Sequence, residues 1–319
     1  MKFKIAKGVA LALAMGTAMP AFGQALFDGC PSGPIMAKFG EFGRTGQMPP
    51  DLGKWLGTPE AQIQDTWAPF DNVDYVGICW VSSWLVHTTE GTVLIDTLYG
   101  PFTKPLLENI AKTGTDLADI KYVLMTHGHF DHVGGAAALK PLLPNATFVM
   151  TQKGWDEAAK DAAASQGGRR AWDMIETDLV VATDDKITLG DNIFTALETP
   201  GHTWGTASYM FDVQDAGETY RAVTIGGLGL NAIEGPSQVE AFIESLDDLN
   251  ERAQDSDAGI DVHLTTHGFS NGLNEDRQAL AERAEGDPHV MVNRQGLLDQ
   301  IATLRSGAVE RLEIEKSKQ

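Results

Sequence analysis

Apolar and polar residues change rhythm several times along the chain, and each change marks an element. From Tyr75 they alternate, which predicts two neighbouring strands at 76–86 and 92–96 around a turn at 87–91. Helical spacing follows over 101–112, then a short buried strand at 122–125, an Ala/Leu helix at 135–143 and a strand at 147–150. A polar helical stretch over 155–165 closes this first series. A second series opens with strands at 186–189, 193–198, 208–212 and 220–225, before a helix at 239–252. One more strand at 262–266 leads to helices at 275–283 and 295–312. Two rounds of strands followed by helices predict two facing sheets with helices outside, in one domain spanning 24–319. The stretch 24–70, rich in Gly and Pro with Trp55, Trp67 and Phe70 scattered through it, is predicted to lie extended on the body.

Composition narrows the function. With 319 residues, 43% of them apolar and 21% charged, the chain is an ordinary globular protein, which excludes disorder and fibrous structure. Its 44 acids against 24 bases give a formal charge of -20, and that charge repels nucleic acid and anionic membrane surfaces. Lys2, Lys4 and Lys7 precede an apolar run over 8–19, and Ala21 and Gly23 put small residues where a signal peptidase reads. Residues 1–23 are therefore predicted to be a cleaved signal peptide and the mature chain to be periplasmic, with no membrane segment. The apolar run is shorter than the ~20 residues a membrane anchor needs. Export favours a disulfide between Cys30 and Cys79, with two free thiols as the alternative.

The densest chemical signal is Thr126-His127-Gly128-His129-Phe130-Asp131-His132, which holds three of the eight histidines. It follows a buried strand, so His127 and His129, two residues apart, point the same way from an extended backbone. Gly134 and Gly135 let the chain pass close to the cluster. Imidazole nitrogen and carboxylate oxygen suit zinc, and four donors in one hexapeptide exceed what a single ion accepts from so short a loop. Two adjacent ions are implied.

His-x-His-x-Asp-His after a strand resembles the metallo-β-lactamase superfamily, an α/β (α+β) fold arranged as a four-layer αββα sandwich. The resemblance implies two Zn2+ ions, the first on His127, His129 and His202 and the second on Asp131, His132 and His267. His202 lies in Thr199-Pro200-Gly201-His202-Thr203, similar to the superfamily's glycine-histidine turn, and His267 in Leu264-Thr265-Thr266-His267-Gly268 matches its last ligand position. Asp96, ending Leu94-Ile95-Asp96-Thr97, matches the acid that orients ligands from behind, with a strand-end turn former as the plainer alternative. His263 fits a shared site poorly, and His87 and His289 read as surface residues.

Many superfamily hydrolases, hydroxyacylglutathione hydrolases among them, bridge the ions with an aspartate after the next strand. Here that stretch reads Ala222-Val223-Thr224-Ile225-Gly226-Gly227-Leu228, without an acid. A histidine-only first group and an Asp-His-His second group then resemble the third subclass of metallo-β-lactamases. Further likeness lies in Thr66-Trp67-Ala68-Pro69-Phe70, in Thr92-Val93-Leu94-Ile95-Asp96 and in Asp119-Ile120-Lys121. The implied activity is opening of a β-lactam ring by zinc-bound hydroxide, with Asp131 helping to orient the water. The alternative is hydrolysis of lactones, esters or another small molecule on the same scaffold. Gly227 and Gly229 replace the serines that the subclass uses on the substrate carboxylate, and Trp204 replaces a proline. Asn231 is a candidate polar contact for substrate. Trp155 and Trp172 read first as packing residues, and as an apolar wall at the metal mouth second.

Overall fold

A computed structural model describes residues 27–45, 47–168, 171–231 and 233–318. The predicted leader, 1–23, lies outside the described residues. Helices α1 (Ser32–Thr45) and α2 (Pro50–Leu56) come first, then strands β1 (Trp67–Phe70), β2 (Val73–Tyr75), β3 (Trp84–Thr88) and β4 (Gly91–Ile95). Helix α3 (Thr103–Thr113), β5 (Ile120–Leu124), the short helices α4 (Phe130–Val133) and α5 (Ala136–Leu139), β6 (Thr147–Met150), α6 (Gln152–Ser165) and β7 (Leu179–Val180) complete the first half. The second half runs β8 (Lys186–Leu189), β9 (Asn192–Glu198), β10 (Ala207–Asp215), β11 (Glu218–Thr224), α7 (Pro236–Gln254), β12 (Val262–His263), α8 (Leu273–Ala281) and α9 (Arg294–Ser317).

The strands form a seven-stranded sheet in the order β1 to β7 and a five-stranded sheet ordered β12-β11-β10-β9-β8. Their inner faces share one apolar core, in which Trp84, Val93, Ile95 and Leu124 of the first sheet meet Phe194, Tyr209, Phe211 and Val213 of the second. Period-2 alternation sends Leu85, Leu94 and Val123 outward, where Leu106 and Ile110 of α3 and Trp155 and Ala158 of α6 cover them. On the far side, Val239, Phe242 and Leu246 of α7 and Leu297 and Ile301 of α9 cover Leu197 and Val223. Central strands are thus apolar on both faces, and the layers read αββα, the sandwich that the resemblance implies.

Three sequence expectations need correction. Residues 24–70 are not simply extended: α1 forms because Ile35 and Phe39, one turn apart, face a satellite core with Phe269, while Gly33, Gly40 and Gly43 within it disguise the pattern. Residues 76–86 are not one strand. Tyr75 pairs with Trp84, and 76–83 fold back between them, with Val76 N–H on Ser83 O at 2.9 Å and Ile78 N–H on Val81 O at 2.9 Å. Val76, Ile78 and Val81 in this loop are fully buried, so polarity carries no sign of the reversal. The predicted helix at 135–143 is one α turn followed by a 3₁₀ turn, Lys140–Leu142, in which Pro141 cannot extend the α ladder. Cys30 and Cys79 form a disulfide, with Cα atoms 5.6 Å apart. Among the described residues, no helix is long and apolar enough to cross a membrane.

Candidate metal centre

Parallel pairing of β4 and β5, with Ile95 beside Leu124, makes Asp96 and the 126–132 loop leave the sheet side by side. Asp96 N–H bonds Leu124 O at 2.9 Å, and its φ of 59° turns the chain at once. Its buried carboxylate then accepts three hydrogen bonds. Thr126 N–H donates to Oδ1 at 2.8 Å, Thr126 Oγ1–H to Oδ2 at 2.9 Å, and His132 Nδ1–H to Oδ2 at 2.7 Å. Gly135 packs so closely on this turn that an added Cβ would lie 2.3 Å from Thr97 O, so the close backbone passage expected of the glycine pair is present.

The glycine-histidine turn arrives from the second sheet, where Ala207 N–H at the start of β10 reaches Thr126 O at 2.7 Å. Gly201 takes φ 136°, which glycine alone adopts readily, and α7 holds the turn through Gln238 Nε2–H on Gly201 O at 3.0 Å and Ser245 Oγ–H on Pro200 O at 2.8 Å. Past β12, Thr266 O accepts Ser82 N–H at 2.8 Å, and His267 follows.

These connections bring together the six residues singled out in the sequence. In one group His129 Nδ1 lies 3.1 Å from His127 Nε2 and 3.1 Å from His202 Nε2. In the other, His132 Nε2 lies 3.3 Å from His267 Nε2 and 3.4 Å from Asp131 Oδ2, with 3.9 Å between Asp131 Oδ2 and His267 Nε2. Within each group the three donor atoms fall within 4.8 Å of one another. The groups adjoin, for the His127 and His132 ring centroids are 4.2 Å apart.

The outer ring nitrogens are already committed. His202 Nδ1–H donates to Gly229 O at 2.6 Å, His267 Nδ1–H to Trp80 O at 2.8 Å and His132 Nδ1–H to Asp96. Thr126 Oγ1, whose proton goes to Asp96, accepts from His127 Nδ1–H at 3.2 Å. Each of these four rings therefore turns its Nε2 inward, with a lone pair on the neutral rings of His127, His202 and His267. His127 Nε2 and His202 Nε2 both converge on His129 Nδ1 at 3.1 Å, and a proton there could serve only one of them, so the donor set fits metal. Burial lowers His202 to about 3 and His267 to about 4, which keeps both neutral as ligands must be. Burial likewise holds His127 far below the imidazole range, helped by the surrounding histidines. At His132 burial also disfavours the charge, but the Asp131 and Asp96 carboxylates outweigh it and raise the ring to about 10 without metal. Asp131 is buried too, which opposes its charge, yet His132 and its neighbours hold it below the usual carboxylate range.

The family model described as the metallo-beta-lactamase superfamily matches residues 76–210. A hydroxyacylglutathione hydrolase of Rhodopseudomonas palustris is 32% identical over 209 residues, which cover 63% of this chain and 71% of the relative. The chain belongs to the metallo-beta-lactamase superfamily. A second hydroxyacylglutathione hydrolase, from Bradyrhizobium sp., is 30% identical over 152 residues, and there the match spans 50% of the relative's length. Among solved structures, the subclass B3 metallo-beta-lactamase BJP-1 of Bradyrhizobium japonicum superposes with a TM-score of 0.69 at 25% identity, covering 80% of this chain and 96% of that one. The FEZ-1 metallo-beta-lactamase of Legionella gormanii shares the fold, with a TM-score of 0.70 at 22% identity over 79% of this chain and 97% of its own.

His263 is buried away from both groups, its Nδ1 2.8 Å from Gln300 Oε1. His87 is half-buried and bonded to Asp74 Oδ2 at 2.7 Å. His289, expected on the surface, is buried: its ring stacks on Phe70 with centroids 4.2 Å apart and Nε2–H donates to Pro69 O at 2.8 Å. Trp155 is a packing residue, with Nε1–H on Leu179 O at 3.0 Å, and Trp172 packs on the outer core of the first sheet. The aromatic wall beside the second group is instead Trp80, stacked on His267 and edge-on to Tyr99, with Phe130 behind. Trp80 escaped notice because its backbone carbonyl makes the decisive contact, and any residue has one. Asn231 is exposed, its Oδ1 beside Gly229. Gly227 admits no side chain, since a Cβ there would lie 2.4 Å from the His202 ring.

Proposed function

We propose that this superfamily hydrolase opens the β-lactam ring in the periplasm, with two zinc ions held by His127, His129 and His202 and by Asp131, His132 and His267. The observation that carries it is the pair of adjoining donor groups, one purely imidazole and one containing a carboxylate, with no bridging acid. Among the described residues only Asp131 and Asp96 lie within ion-pair distance of the six side chains. The superposition on a subclass B3 enzyme supports the same reading, and the leader pattern and disulfide support export.

Zinc, when bound, supplies Lewis acidity and lowers the pKa of water at the site. The protein supplies order. Asp96 and Thr126 fix the rings of His132 and His127, and the Gly229 and Trp80 carbonyls fix His202 and His267, so four Nε2 atoms are aimed inward before any ligand arrives. Among the described residues Asp131 contributes the sole carboxylate oxygen that faces inward, where it takes the proton side of an attacking water and keeps its lone pair on the substrate carbonyl. Trp80, Tyr99 and Phe130 give an apolar wall for the acyl portion of a substrate. No side-chain nucleophile is required.

A specific observation favours a second reading. The bare Gly227 and Gly229 offer no hydroxyl to a substrate carboxylate, so neutral lactones, or thioesters such as those named for the curated relatives, remain competitors. Purified protein assayed against a chromogenic cephalosporin, a lactone panel and a hydroxyacyl thioester, before and after chelation, separates them. Cephalosporin turnover that chelation abolishes and zinc restores is expected. Turnover of lactone or thioester alone moves the assignment to the second reading, and chelator-insensitive turnover removes the metal centre.

A further inference from the structure

Helix α6 stands between the two strands of chain that build the imidazole group, and one of its side chains joins them. Glu157, half-buried, accepts Trp204 N–H on Oε1 at 2.9 Å and Gly205 N–H on Oε2 at 3.0 Å. One turn and a half earlier, Thr151 Oγ1–H donates to Gly205 O at 2.7 Å while its oxygen caps the helix on Gly154 N–H at 3.0 Å. The helix and the turn touch backbone to backbone: a Cβ on Gly205 would lie 2.1 Å from Gly154 N. On its other flank the same helix abuts the metal loop, where a Cβ on Gly128 would lie 2.7 Å from Ala158 N and 3.1 Å from Glu157 Cβ.

We infer that Glu157 is a positioning residue, which fixes His202 relative to His127 and His129 by clamping the two peptide N–H groups just after His202 from a helix wedged against Gly128. A carboxylate on two backbone donors is a charge-assisted bidentate contact, stronger and more directional than a neutral one. Trp204 gains a reason in the same stroke. A proline there has no N–H to give, so the departure from the resembling chains is what completes the clamp, and Lys153 Nζ over the Trp204 ring at 5.7 Å ties the same residue to α6 again. Glu157 makes no hydrogen bond or ion pair with Asp131, His132 or His267, so the clamp acts on one group of three.

The inference rests on the proposed metal centre, and its test separates the two. Zinc affinities of the wild type, Glu157→Ala, Glu157→Gln and Trp204→Pro are measured by competition with a chromogenic chelator. Cobalt-loaded spectra identify the position, because one has three nitrogen donors and the other two nitrogens and an oxygen. Glu157→Ala is expected to weaken the all-nitrogen position ~10-fold and to leave the other unchanged. Glu157→Gln, which keeps one accepting oxygen, falls between, and Glu157→Ala costs less in the Trp204→Pro background, where one donor is already gone. Equal weakening of both positions, or wild-type affinities in Glu157→Ala, overturns the inference. If Glu157→Ala does not fold, Trp204→Pro must weaken the all-nitrogen position by itself, and an unchanged affinity there is equally fatal. A wild type that binds no zinc overturns the metal centre, and this role of Glu157 with it.

Discussion

The two donor groups share a hexapeptide, yet they are assembled differently. The imidazole group takes His127 and His129 from the loop and His202 from the second sheet, and its rings lean on a hydroxyl and a peptide carbonyl. The carboxylate group takes Asp131 and His132 from a helical turn and His267 from beyond β12, and its rings lean on Asp96 and on the Trp80 carbonyl. Charge separates them further. Burial keeps the first group neutral, whereas two carboxylates crowd His132 in the second and raise it to about 10. Uncharged ligands leave a bound dication's charge for polarising a substrate; anionic ones hold the ion more firmly. One short motif thus furnishes two positions of opposite temperament, according to what stands behind each ring.

The strongest way to break the contrast is Asp131→Ala, which removes the carboxylate oxygen that faces inward. Metal analysis is expected to fall from two zinc per chain to one, with kcat/KM reduced ~10²- to 10³-fold. Retention of two ions would deny Asp131 its place. Next comes Asp96→Ala, which unseats His132 directly and His127 through Thr126. Zinc affinity should drop about 10- to 100-fold at both positions, and the orphaned Thr126 N–H should cost ~1–3 kcal/mol of stability in urea titrations. A loss confined to the carboxylate position would show that Thr126 does not relay the contact. Gly227→Ser forces a side chain onto the His202 ring and sharpens the contrast from the other side. The all-nitrogen position should weaken several-fold in chelator competition while the second stays as it was.

Smaller effects discriminate more finely. Replacing both cysteines by serine should lower stability by ~2–4 kcal/mol, read from thermal and urea melts. Any accompanying change in metal binding should fall on the carboxylate group, because Cys79 adjoins Trp80. The weakest expected signal is in pH. In chelated protein His267 at about 4 and His263 at about 4 sit below the ordinary 6.5, so between those values the unfolded chain binds protons that the folded one refuses. Stability therefore falls as pH drops from 6.5 towards 4. His132 acts with the opposite sign: its stabilisation is whole below pH 6.5 and is lost as pH rises towards 10. His263→Gln should reduce the acid slope by about one proton, ~1.4 kcal/mol per pH unit, and leave the alkaline limb alone. An unchanged acid slope would mean that His263 is not held neutral.

What could be read from the sequence follows from how each feature is encoded. The hexapeptide was legible because its chemistry is consecutive, and the sandwich because strands buried on two faces give long apolar runs between turn signals. His202 and His267 came from resemblance, not from spacing, since their partners are 73 and 135 residues away. The rest of the site was silent for a physical reason. Gly229 and Trp80 act through carbonyls, Glu157 through peptide N–H groups, and such contacts leave no mark on residue type. The reversal at 76–83 was missed because loop and strands are equally apolar, and His289 because the Phe70 face that covers it lies 219 positions upstream.

Asp96 carries one last implication. A lone carboxylate answers to both halves of the centre, so neither half can be retuned by altering it without disturbing the other. Evolutionary tinkering with this chain is thus channelled outward, to peripheral spots such as 229, where the useful atom belongs to the main chain and an added side chain would meet only the exposed Asn231 close by.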